Sequence, residues 1–84
     1  MPDEVSCYTA TFHTHLAAIL THRALREAGI SAELAPVPRV LSSSCGTCVR
    51  YEAPSPAYEH MDRDTQAVYR MEGDRYILCR MISE

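Results

Sequence analysis

Apolar and polar residues alternate at the start of the chain. Over residues 5–12, Tyr8, Ala10 and Phe12 fall on one face and Cys7, Thr9 and Thr11 on the other. A period of two with β-branched and aromatic residues predicts a strand. The period then changes. Over residues 14–28, Leu16, Ala17, Leu20, Ala24, Leu25 and Ala28 recur along one side of a 3.6-residue turn, with His15, His22, Arg23 and Arg26 on the other. This predicts a helix capped by the Thr14 hydroxyl and ended by Gly29 in the left-handed conformation.

Residues 30–35 read as a second short strand, stopped by Pro36 and Pro38. A loop over residues 36–46 follows. β character resumes over residues 47–52, with Val49 and Tyr51 on one face. Residues 53–56 break that strand, and residues 57–61 are expected to form a short helix behind Pro56. Residues 66–71 and 75–82 predict a β-hairpin around Gly73-Asp74. In that hairpin Tyr69 should face Leu78 and Val68 should face Cys79, with Glu72 and Arg75 pairing charges at the turn.

The order is β-α-β-β-(short α)-β-β over one domain, residues 1–84. It predicts an α+β fold, a small ferredoxin-like sandwich with an antiparallel or mixed sheet and the helices on one face. The stunted second helix would leave part of the sheet uncovered, which argues for a homodimer.

Composition narrows the function. A net charge of −3 at a pI near 5.7 speaks against nucleic-acid binding, which wants a basic face, and gives no support to membrane-surface binding. No apolar run approaches the roughly 18 residues of a membrane span. The acidic first residues lack the pattern of a signal peptide, so a cytoplasmic location is expected. Thiols are mostly reduced there, and the four cysteines are expected to be free, metal-bound or redox-active.

The chemistry concentrates in the loop. Cys45 and Cys48 form a C-x-x-C pair behind three serines. Such a pair can close a disulfide, pass a mixed disulfide or supply two thiolates to a metal. Gly46 permits positive φ and leaves Cys45 sterically open. Arg39 and Arg50 flank the loop and would favour a thiolate if close in space. Arg39, Ser44 and Gly46 are the candidate binding residues beside the thiols, since serine hydroxyls and backbone N–H groups can make an anion-binding concavity.

Packing of Cys45 and Cys48 as small apolar residues is the plain alternative. A thioredoxin-like role fails on context, because no long helix begins at the pair to stabilise its thiolate. The alternative function is a small module that uses Cys45 and Cys48 to bind zinc or to engage another protein. A structural site needs four ligands, and the other candidates are Cys7, His13, His15 and Cys79, or a second C-x-x-C across a dimer. His15 and His22 lie two turns apart, about 10 Å of rise, too far to share one ion. His15, His22 and His60 read as solvent-exposed, and Cys7 and Cys79 as packing residues of strands.

The strand ending at Phe12, the helix closing on Ala28-Gly29-Ile30, Pro36-Val37-Pro38-Arg39 and Ser42-Ser43-Ser44-Cys45-Gly46 together resemble the Se/S carrier protein-like family. The likeness covers roughly the first two thirds of the chain, and the serine-cysteine-glycine segment is its most specific part. It implies a cytoplasmic protein of sulfur or selenium handling, with Cys45 at the motif cysteine. The expected function is that of a sulfur or selenium carrier working between donor and acceptor proteins, rather than of a stand-alone enzyme. Cys45 would hold the chalcogen, Cys48 would be the resolving thiol, and no cofactor would be required.

Overall fold

The computed structural model describes residues 4–43 and 45–83. The order is β1 (Ser6–Phe12), α1 (His15–Glu27), β2 (Ser31–Pro36), β3 (Thr47–Ala53), a single 3-10 turn (Tyr58–His60), β4 (Thr65–Glu72) and β5 (Arg75–Met81). The strands form one sheet in the order β2-β3-β1-β4-β5, with every neighbouring pair antiparallel. β1 and β2 are each antiparallel to β3, so they run parallel to one another and α1 crosses between them. β3 and β4 flank β1 in the same way. Their connection carries no α-helix.

The short helix expected over residues 57–61 is therefore a correction. Ala57 takes a left-handed backbone (φ 58°), and Met61 returns to an extended one. These two conformations leave room for one 3-10 turn and no more. One helix, not two, covers the sheet.

α1 begins and ends as its sequence dictates. The Thr14 hydroxyl accepts the Ala17 N–H at 3.1 Å. Gly29 has φ +82°, and the Ile30 N–H returns to the Leu25 carbonyl at 2.9 Å. Its buried face differs from the expected one. Ala17, Ala18, Thr21 and Leu25 are buried, whereas Leu16 is 63% and Leu20 39% exposed. Small side chains let α1 lie close to the sheet. Thr21 is buried without penalty because its hydroxyl accepts the Asp62 N–H at 3.0 Å. The main core packs Ala17, Ala18 and Leu25 of α1 with Tyr8, Ala10, Phe12, Val49, Tyr51, Ala53 and Val68. Tyr8 stacks on Tyr51 with ring centroids 5.4 Å apart.

The final hairpin forms around Gly73, and Tyr69 faces Leu78. Val68 pairs with Arg80 rather than Cys79, because a register shift inserts Cys79 as an extra residue. Arg80 lies over the Tyr58 ring at 4.3 Å. Glu72 stands opposite Arg75 in register, but its ion pair is made with Arg70 at 2.7 Å.

The sheet face turned away from α1 is also closed over its middle. Thr9, Thr11, Cys48 and Ala67 alternate onto it, and all are almost fully buried. Leu41 of the β2–β3 loop is buried too, and neither it nor Cys48 nor Ala67 belongs to the main core. Val40 and Leu41 share a cavity of about 320 Å3 with Asp74, Arg75 and Tyr76. Register puts Tyr76 on this same face, near the opposite end of the sheet from where the loop is rooted. The loop thus reaches this face of the sheet, where Leu41 lies beside the hairpin.

Candidate functional site

β2 runs one residue further than expected and takes in Pro36, which pairs with Thr47; the β2–β3 loop starts after it, with Pro38 keeping the strand from continuing. Its base is closed by the Val37 N–H donating to the Gly46 carbonyl at 3.1 Å. A turn follows in which the Leu41 N–H donates to the Pro38 carbonyl at 3.0 Å. Gly46 has φ +75°, a left-handed backbone that an L side chain would strain.

That turn holds Cys45 at the rim of the sheet. Its Sγ accepts the Thr47 N–H at 3.4 Å, and its S–H donates to the Thr47 carbonyl at 3.2 Å. The thiol is half-buried and packs against the core. Ser43 Oγ lies 3.9 Å from the sulfur and donates to the Phe12 carbonyl at 2.7 Å, tying the loop to the end of β1. His15 Nδ1 lies 3.1 Å from Thr47 Oγ1. Three elements therefore meet at Cys45: the loop, the end of β1 and the first turn of α1.

Cys48 is placed differently. β3 turns it to the face opposite α1, directly across from Thr11 and Ala35. It is fully buried, and its thiol donates to the Pro36 carbonyl at 3.6 Å. Burial pushes its pKa up; the Arg50 charge opposes this, and the Cys45 charge adds to it. All four cysteines are free thiols.

The remaining expected residues divide. Arg39 is exposed on the loop and has no ion pair among the described residues. Gly46 forms the turn. Ser44 lies outside the described residues. The zinc candidates do not converge: Cys7 stands opposite Glu52 on the far face, and Cys79 packs beside the main core. His13 Nε2 lies 2.8 Å from Ser83 Oγ. Among the described residues no three His, Cys, Asp or Glu side chains come together where they could hold a metal ion. His15 is exposed as expected, while His22 and His60 are half-buried. His22 Nε2 lies 3.2 Å from the Ala32 carbonyl.

Ser43, Thr47 and Leu41 are the site residues that sequence reasoning passed over. Thr47 sits inside the C-x-x-C, and Val40-Leu41 stands between Arg39 and the three serines. Both signals were present in the chain. What they touch depends on the path of the loop.

Chemically, the arrangement offers one reachable sulfur that both accepts and donates a hydrogen bond to the adjacent backbone. It offers a second sulfur beneath the loop, within electrostatic reach of the first.

Comparison with protein families finds that residues 7–61 match the family described as putative Se/S carrier protein-like. Comparison with curated proteins and with solved structures finds no match. The family match begins in β1 and ends beyond the 3-10 turn, so it contains both cysteines of the loop and the whole of α1.

Proposed function

We propose that this chain, which belongs to the putative Se/S carrier protein-like family, carries a sulfur or selenium atom on Cys45 between a donor and an acceptor protein. One observation carries the reading. Within the matched segment, Cys45 is a reachable free thiol on a glycine turn, with its sulfur positioned by the Thr47 N–H. In loading, the Cys45 thiolate attacks the outer sulfur of a donor persulfide, and the donor thiolate leaves. The product is a Cys45 persulfide, or the selenium equivalent. Thr47 N–H then helps hold the inner sulfur in place, and Arg39 and Gly46 border the cargo.

Cys48, three residues along the chain from Cys45, is the resolving thiol in this reading. A reducing, cytoplasmic compartment suits the free thiols. We also read the two interleaved crossovers as a ferredoxin-like sandwich whose second helix has shrunk to one turn. The sheet order supports this. The sheet edges leave room for homodimer pairing.

The test is intact mass after exposure of reduced protein to a low-molecular-weight persulfide. The expected result is a reductant-sensitive gain of one sulfur atom, located on Cys45 and absent in Cys45→Ser. Equal loading of wild type and Cys45→Ser overturns the reading.

A further inference from the structure

We infer that residues 38–43 of the loop are a latch over Cys48, so that release of cargo from Cys45 waits for the loop to lift. The inference rests on the carrier reading and adds its regulation. The sheet face that holds Cys48 has no helix layer, yet Cys48, Thr9, Thr11 and Ala67 are excluded from solvent. The loop accounts for this. Leu41 is buried outside the main core, and with Val40 it faces the hairpin across a shared cavity.

Among the described residues, the side-chain tie between the cover and β1 is the hydrogen bond from Ser43 Oγ to the Phe12 carbonyl at 2.7 Å. Beneath it the hydroxyl oxygens of Thr9 and Thr11 are buried with no hydrogen-bond partner. Buried unsatisfied hydroxyls favour a state in which water reaches them, which biases this cover toward opening. Val40, 78% exposed beside Leu41, is the handle by which an acceptor protein can engage the loop.

The step that the latch controls balances without an external oxidant. With the loop lifted, Cys48 loses its proton to solvent. Its thiolate attacks the inner sulfur of the Cys45 persulfide. The Cys45–Cys48 disulfide forms, and the outer atom leaves as hydrosulfide or hydroselenide with the bonding pair. The disulfide is the oxidised product and the released chalcogenide the reduced one. A dithiol reductant then restores both thiols and is itself oxidised to its disulfide. With the loop down, Cys48 has no path to the inner sulfur and the cargo stays.

The experiment reads the thiols directly and needs no cargo. The variant Cys7→Ser/Cys45→Ser/Cys79→Ser leaves Cys48 as the sole thiol, and the matching variant with Cys48→Ser leaves Cys45. Alkylation followed by intact mass should label the Cys45 protein rapidly and the Cys48 protein slowly. Adding Ser43→Ala should speed Cys48 labelling by about fivefold, since reactivity follows the open population. Leu41→Ala should speed it further. Amide exchange of Ala10 and Val68 in the same variants separates loop lifting from global unfolding. Faster Cys48 labelling at unchanged exchange of these amides supports the latch. The latch is overturned if Cys48 labels as fast as Cys45 without either substitution. It is also overturned if Ser43→Ala leaves the rate unchanged, or if labelling rises only in step with exchange of the core amides. Failure of Cys45 to take up sulfur would remove the carrier reading and leave this result standing.

Discussion

Burial of Cys48 has a consequence for stability at high pH. A thiol with an ordinary pKa of 9.0 is raised in the folded protein, chiefly by burial. Tyr51 shifts in the same direction, for burial first and then for its tyrosine neighbours; its hydroxyl donates to the Pro56 carbonyl. Both groups stay protonated in the folded chain at a pH where the unfolded chain has begun to lose their protons. The unfolded state then binds fewer protons, so stability falls as pH rises. Their contribution is fully present below the ordinary thiol pKa and is lost on passing through the raised values. The melting temperature should therefore decline as pH rises above about 9. Cys48→Ala should make that decline shallower. A pH series of melting curves on the two proteins checks this, and equal slopes would contradict it. The C-x-x-C was visible in the chain, but the loop's composition makes both cysteines read as exposed, whereas Cys48 is buried. What was hidden is the cover. A face without a helix is expected to be wet, and only the folded path of the loop makes it dry.

α1 shows how far periodicity carries an element. Its ends follow from local chemistry, because a threonine hydroxyl and a glycine act on backbone groups one turn away. Its rotation does not. The stripe of Leu16, Ala17, Leu20, Ala24, Leu25 and Ala28 predicts one buried face; packing keeps Ala17 and Leu25 of it, leaves Leu16 and Leu20 exposed, and adds Ala18 and Thr21. The reason is steric and polar together. Alanines allow closer approach to the sheet, and Thr21 is needed inside to satisfy Asp62 on the second crossover. The two leucines should accordingly respond differently. Leu25→Ala removes a fully buried side chain and should cost about 2–5 kcal/mol. Leu16→Ala trims an exposed one and should stay within about 0.5 kcal/mol of wild type. Denaturant midpoints measure both. A comparable loss from Leu16→Ala would mean that the helix packs on the expected face after all. The missing second helix has a similar cause. Pro56 suits a helix start, but the left-handed Ala57 and extended Met61 depend on how residues 54–64 must bridge β3 and β4, which pattern alone does not reveal.

At the scale of the molecule, β1 is the central strand, with β3 on one side and β4 on the other. Alternation and turn chemistry made the strands and the last hairpin readable one by one. The insertion of β1 between β3 and β4 is a long-range choice, made by burying Val68 with Ala10 and Tyr51 in one core. This bears on the family segment, which ends at residue 61 before β4 begins. A chain cut after residue 61 keeps both loop cysteines and all of α1. It loses the whole of β4, including the fully buried Thr65, Ala67 and Val68. β1 would become an open edge with apolar residues and unpaired backbone groups exposed along it. The carrier loop would lose its hairpin floor as well, since Leu41 shares a cavity with Tyr76. The truncated chain should therefore show no cooperative thermal transition by circular dichroism, and its Cys48 should alkylate as fast as its Cys45. Removing only β5, by ending the chain at residue 74, should leave a folded but weaker protein, because β4 still pairs with β1 and fills the core. A cooperative melt from residues 1–61 would show that the helix, three strands and loop fold without β4, and that the last hairpin serves something other than the stability of the carrier site.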